Sequence, residues 1–230
     1  LDKAQRASKT YFKDAERVQE EIWMNINVRG KVVLDIGIGE STQKLTELGA
    51  KVVGVDTNLQ KITNYKKLGI PIFVCDFLNF PFQKQVADLV VFYFTLHEIN
   101  PKFHIKALTI ARKIAPMVIV VEPVPWGCIA YEEFAQLWKD AMHSVGKFED
   151  YMPPEYWKEV IQKAGFKITL EKTVKWRTYV PPTVLRNIVE TTIEEWRKMG
   201  VKEYYIKKLE KFTKENPRVK WSDIIVLVGK

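Results

Sequence analysis

Cysteine is scarce in this chain: Cys75 and Cys128 are the only two among 230 residues. No metal-ligand spacing joins them, and Cys75 sits in an apolar run where a buried thiol is expected. No cysteine-based metal site is expected, and the setting is expected to be reducing and cytoplasmic. Long apolar runs are missing as well. None approaches the roughly 20 residues that a membrane-spanning helix needs, and the N-terminus is an amphipathic polar stretch, not a signal peptide. The expectation is a soluble protein without membrane insertion, free of internal repeats and low-complexity segments. At 47% hydrophobic residues, the chain can bury one sizeable core with insertions, but not two full domains.

An even spread of charge is also lacking. Residues 1–150 hold 19 Lys and Arg against 18 Asp and Glu, whereas 151–230 hold 17 against 10. An excess of this kind can mark an anionic partner. Lysines interleaved with glutamates on solvated helix faces produce the same count, and that is the favoured reading.

What the chain does contain is organised around Val32 to Thr42, read VVLDIGIGEST. Val32, Val33 and Leu34 predict a buried strand, and Gly37 and Gly39 allow a tight turn and a close approach to a ligand. Ser41 to Leu48 predicts a helix whose N-terminus faces that ligand. Ahead of it, Leu1 to Trp23 spaces its apolar residues as one amphipathic helix. Behind it, strands are expected at Lys51–Val55, Ile70–Cys75, Ala87–Phe94 and Met117–Val121, with helices between them from Asn58 to Leu68 and from Asn100 to Ile114. This alternation predicts an α/β, doubly wound sheet that binds its ligands at the strands' C-terminal ends.

From Trp126 the rhythm changes. Helices are expected over 129–145, 150–164, 182–199 and 201–213, a long alternating strand over 166–180, and a last strand over 224–228. The domain plan is a single unit over 1–230. It has a helical cap (1–28), a cofactor-binding core (30–125), helical insertions (126–165 and 181–215) and a terminal strand pair (166–180 and 222–229).

Asp35 stands at the end of the first strand, before the glycines. In a nicotinamide site the G-x-G-x-x-G turn seats a pyrophosphate, which a neighbouring acid would repel. Here Gly37-Ile38-Gly39 is followed by Glu40, Ser41 and Thr42, so the third glycine is missing and a second acid is present. The pocket is suited to a cation without phosphate, and S-adenosylmethionine, with its ammonium and sulfonium, meets that demand. Asp56 lies 17 residues after Gly39, close to the separation at which an acid accepts from both ribose hydroxyls. Asp76, one strand further on, can accept from the adenine amino group, with Phe77 beside the ring. A helix-capping role is the plain alternative for each acid, but three at successive strand ends with a glycine turn argue for a pocket.

With these motifs in order, the chain resembles the class I S-adenosylmethionine-dependent methyltransferases, most of all the small-molecule branch that includes the ubiquinone and menaquinone biosynthesis C-methyltransferases. LDIGIGEST is similar to the family's first motif and GVDTN to its second-strand motif. CDFLNFPFQKQVADLVVFYFTLHEI resembles its block of an acid, a Leu-Pro-Phe-like triplet, an Asp-initiated strand and a Leu-His pair. The resemblance covers roughly residues 30–125. It implies a mostly parallel seven-stranded Rossmann-like sheet with an antiparallel last strand and inserted helices. It also implies that Asp35, Gly37 and Gly39 border the methionine moiety, Asp56 the ribose, and Asp76 with Phe77 the adenine. Thr42, Thr57 and Tyr93 complete the expected cofactor set, and no metal is expected. Two departures stand out: Ser41 replaces the family's third glycine, and Phe92-Tyr93-Phe94-Thr95 lacks the Asp/Asn-Pro-Pro-aromatic signature of enzymes that methylate nucleic-acid amino groups.

Methyl transfer is an in-line displacement, so the protein's main work is to align the acceptor and exclude water. Where the acceptor must lose a proton, His97 is the candidate base, against the alternative of a structural histidine. Glu122 is a candidate for orienting the acceptor. Tyr11 and Phe12, with Trp126, Tyr131, Phe134 and Trp138, form a candidate aromatic lid, against ordinary core packing. Three readings stand: a small-molecule methyltransferase, an enzyme on RNA or protein that uses the basic C-terminal helices, and a non-catalytic cofactor-binding subunit.

Overall fold

The computed structural model describes residues 3–81, 84–215 and 217–230. Leu1, expected on the first helix, and Phe82 and Gln83, inside the acid-to-strand block, lie outside them. The chain forms two compact units: a sheet unit (25–122, 152–173 and 225–230) and a helical unit (1–24, 123–151 and 174–224).

In the sheet unit the apolar runs become strands: β1 (Val32–Ile36), β2 (Lys51–Asp56), β3 (Ile72–Val74), β4 (Leu89–Tyr93), β5 (Met117–Pro123), β6 (Ile168–Val174) and β7 (Ile224–Gly229). Their order is β3-β2-β1-β4-β5-β7-β6. β1 pairs in parallel with β2 on one side (Leu34 beside Val53) and with β4 on the other (Leu34 beside Val90). The β2–β3 and β4–β5 pairs are parallel too. At the far edge the chain reverses: Lys167 and Lys230 exchange backbone N–H to carbonyl bonds of 2.7 and 2.9 Å, the pattern of antiparallel neighbours. The expected mostly parallel seven-stranded sheet with an antiparallel last strand is therefore present. β4 is buried along its whole length, as a central parallel strand flanked on both faces must be.

Helices α2 (Glu40–Glu47), α3 (Leu59–Tyr65), α4 (His104–Ile114) and α6 (Pro154–Lys163) belong to this unit. The helix expected to Leu68 finishes as a 3₁₀ turn, Lys66–Leu68, closed by Gly69 in the left-handed region. The Asn100 start also opens as a 3₁₀ turn before α4. α6 had been grouped with the insertions, yet it buries Trp157, Val160 and Ile161 in the same apolar core as α4. That core assigns it to the sheet. His104, which had no assigned role, is fully buried; its ring nitrogens meet the Tyr156 hydroxyl and the Ile99 carbonyl, each at 2.9 Å. Cys75 is only partly buried, because β3 is an edge strand of three residues.

The helical unit holds α1 (Lys3–Trp23), α5 (Ile129–Ser144), α7 (Pro182–Met199) and α8 (Glu203–Lys214). Their apolar faces share a second core, which includes Tyr131, Phe134, Trp196, Leu209 and Phe212. α7 turns into α8 at Gly200, whose φ of +78° suits a glycine C-cap. On the surface, Arg197 of α7 pairs with Glu210 and Lys211 of α8 with Glu215. No helix among the described residues is long and apolar enough to cross a membrane.

The strand expected over 166–180 stops at Val174 because the backbone beyond it is claimed by α1. The Lys175 carbonyl accepts from Arg17 at 2.6 Å, and the Arg177 and Thr178 N–H groups donate to Asp14 Oδ2 at 2.7 and 2.9 Å. Burial pushes the Asp14 carboxyl up, but the hydrogen bonds from Arg17, Arg177 and Thr178 outweigh it and hold the group below its ordinary value of 3.8. A carboxyl lowered by folding contributes stability above its unfolded value and loses it as pH falls through the folded one. Asp14→Ala should therefore cost about 1–3 kcal/mol in urea unfolding at pH 7, because two part-buried backbone N–H donors lose a charged acceptor. The gap to the unsubstituted protein should shrink below the carboxylate's ordinary 3.8.

Candidate functional site

The sheet order reverses between β1 and β4, and in open α/β sheets the crevice outside that switch point is the place for a ligand. The β1–α2 turn forms one wall. Gly37 has a φ of +80°, and a Cβ there would lie 2.6 Å from Thr95 Oγ1, so both conformation and space require glycine. Thr95 is itself fixed: its hydroxyl donates to the Ile36 and Tyr93 carbonyls at 2.8 and 3.0 Å. A Cβ on Gly39 would meet nothing within 4 Å, so this glycine leaves open space at the head of α2 that any side chain would fill.

Asp35 is completely buried. The Thr42 hydroxyl donates to it at 2.6 Å and accepts the Gly39 N–H at 2.8 Å, and the Ser41 hydroxyl donates at 3.0 Å. Ser41 thus ties the turn to the acid. Burial pushes the Asp35 carboxyl up to about 7; the two hydroxyls oppose the rise and the charge of Asp56 adds to it.

Asp56 ends β2 and is partly exposed, with Oδ1 accepting the Asn58 N–H at 2.7 Å; Thr57 beside it is exposed. Asn58 caps α3 through the Gln60 and Lys61 N–H groups. Asp76 is exposed and caps a 3₁₀ turn by accepting from the Leu78 N–H at 2.9 Å. Phe77 points the other way: it is buried, 5.4 Å from Phe92 and 5.7 Å from Phe80 between ring centres, so its ring is part of the core. Tyr93 is buried at the end of β4, its ring 4.5 Å from that of Phe94.

The end of β4 holds a feature that no sequence signal announced. Phe94 has a φ of +50°, an uncommon conformation for a non-glycine residue. Directly after it, the Thr95 and Leu96 N–H groups both donate to Glu122 Oε1, at 3.0 and 2.7 Å. Glu122 Oε2 lies 2.5 Å from His97 Nδ1. Glu122 is fully buried and His97 is 5% exposed. The candidate base and the candidate acceptor-orienting acid, 25 residues apart in sequence, form one constellation.

In the helical unit, Tyr11 stacks on Trp176 at 5.7 Å and its hydroxyl accepts from Trp221 Nε1 at 2.8 Å. Tyr131 and Phe134 are core residues there as well, and Trp138 packs against the same core. Trp126 is half exposed and Phe12 is exposed. Aromatic spacing on these helices is thus accounted for largely by packing.

Residues 34–116 match the family model of a methyltransferase domain. No curated protein matches the chain. Among solved structures, an S-adenosylmethionine-dependent methyltransferase from Archaeoglobus fulgidus is 16% identical over 100% of both chains, with a TM-score of 0.58. A cyclopropane synthase from Mycobacterium tuberculosis is 15% identical over 94% of this chain and 84% of its own, with a TM-score of 0.60. The 1,6-didemethyltoxoflavin N1-methyltransferase of Burkholderia thailandensis, solved with bound 1,6-didemethyltoxoflavin and S-adenosylhomocysteine, is 14% identical over 98% of this chain and 81% of its own, with a TM-score of 0.54. The fold is the Rossmann-like fold of S-adenosylmethionine-dependent methyltransferases, and the stretch from β1 to the end of α4 carries the methyltransferase domain match.

Proposed function

We propose that the chain is an S-adenosylmethionine-dependent methyltransferase acting on a small-molecule acceptor. The observation that carries this reading is the set of carboxylates at the C-terminal ends of β1, β2 and β3 around a turn left open at Gly39. The donor set fits the cofactor. Asp56 offers a partly exposed carboxylate for a ribose diol, and Asp76 an exposed one toward an adenine amino group. The open backbone at Gly39 admits the methionine portion, and buried Asp35 places negative charge behind the turn, where an ammonium and a sulfonium are favoured and a pyrophosphate is not. The cofactor supplies a methyl group already activated by its sulfonium. The protein's part is to hold the acceptor in line, shield it from water and, where required, take its proton at His97.

The resemblance of the motif order to small-molecule C-methyltransferases supports a metabolite acceptor. So does the absence of the amino-methylating signature after β4. The pairing of Arg197 with Glu210 and of Lys211 with Glu215 on α7 and α8 supports a solvated basic face over an RNA platform.

Titration calorimetry should show binding of S-adenosylmethionine and none of NAD. Asp56→Ala should weaken that binding about 10- to 100-fold, the scale of hydrogen bonds to a charged acceptor. Preference for NAD would overturn the cofactor. Labelled methyl offered to a metabolite extract and to total RNA should enter the small-molecule fraction; entry into RNA alone would overturn the acceptor class.

Asp35 supplies a pH test. Its carboxyl is raised to about 7, so it is largely neutral in acid and charged above neutrality. Only the charged form attracts a cationic ligand. Affinity for S-adenosylmethionine should therefore rise through pH 7 more steeply in the unsubstituted protein than in Asp35→Asn, a difference that cancels titration of the ligand itself. Parallel curves would show that Asp35 adds no charge to the pocket.

A further inference from the structure

We propose that Glu122 is a positioning residue: it fixes the turn after β4 and sets the tautomer of His97, directing the imidazole lone pair to Nε2. The catalytic consequence rests on the reading of His97 as proton acceptor; the tautomer itself rests on geometry alone.

Each oxygen of this fully buried carboxylate has a defined task. Oε1 accepts the Thr95 and Leu96 N–H groups at 3.0 and 2.7 Å, satisfying two donors of a turn that Phe94 enters at φ +50°. Oε2 faces His97 Nδ1 at 2.5 Å. The carboxyl already acts as an acceptor toward two N–H groups, and with Oε2 accepting in the same way Nδ1 is the donor, so that in the neutral ring the lone pair resides on Nε2. A carboxylate behind a histidine in this way holds the ring's orientation and stabilises the imidazolium that forms when the ring takes a proton.

A purely structural link would need less. Glutamine at 122 could keep every hydrogen bond. Its amide oxygen must face Thr95 and Leu96, because both are donors, which turns the amide NH₂ toward Nδ1. The ring would then accept at Nδ1 and carry its proton on Nε2. Glu122→Gln therefore preserves the turn and inverts the tautomer, which separates positioning from mere support.

The test is ¹⁵N NMR of the His97 imidazole at a pH where the ring is neutral, with no acceptor present. The unsubstituted protein should show the Nδ1–H form and Glu122→Gln the Nε2–H form. Labelled methyl transfer from S-adenosylmethionine into the small-molecule fraction of a cell extract should fall about 10²- to 10⁴-fold in Glu122→Gln, the range for a lost acid–base group, with cofactor affinity unchanged. An Nε2–H form in the unsubstituted protein overturns the proposal without any variant, even if Glu122→Gln does not fold. Full turnover in Glu122→Gln alongside a loss in His97→Ala overturns it as well. Full turnover in His97→Ala instead overturns the proton-acceptor reading, while the NMR spectrum still decides the tautomer.

Discussion

The parallel pairing of β1 on both sides, with β2 and with β4, is the constraint on which the remaining structure depends. Its two neighbours are reached by connections that leave in opposite directions, so neither covers the strand's C-terminal end. The chain leaving β1 must turn at once into α2, beside the chain leaving β4. Gly37 and Thr95 meet there, and the missing Cβ is what lets them do so. A glycine turn that reads as a ligand feature in sequence is therefore also a packing requirement of the switch point.

Buried acids on the two sides of this crevice are used in different ways. Asp35 accepts from the neutral hydroxyls of Ser41 and Thr42, and burial raises its carboxyl to about 7. Glu122 is enclosed by two backbone N–H groups and an imidazole, which together occupy both of its oxygens. One acid can therefore change charge near neutrality, while the other organises a turn and a histidine. Strand-end position alone made them look equivalent.

The helical unit shows the limit of aromatic patterns. Tyr11, Tyr131 and Phe134 lie at helical spacing, and the structure uses their rings to fill a core among four helices. Trp126 differs because it precedes α5 in a connecting segment and keeps half its surface exposed. Spacing cannot separate a lid from a core, since both need an apolar stripe on a helix; what differs is which surface the stripe meets.

By itself the sequence determined the order of strands and helices, since each apolar run bounded by glycine, proline or a capping residue leaves its backbone one economical way to bond. The acids at the ends of β1, β2 and β3 and the two-glycine turn were legible for the same reason: they are local. Tertiary structure decided the rest. It shortened β6 where Asp14 and Arg17 of α1 take the backbone beyond Val174, moved α6 into the sheet's core through Trp157, and turned Phe77 inward. It also placed Glu122 behind His97. That pair joins the ends of two neighbouring strands, and its geometry depends on the β4–β5 register and on a left-handed residue at Phe94, neither of which has a local signature in the chain.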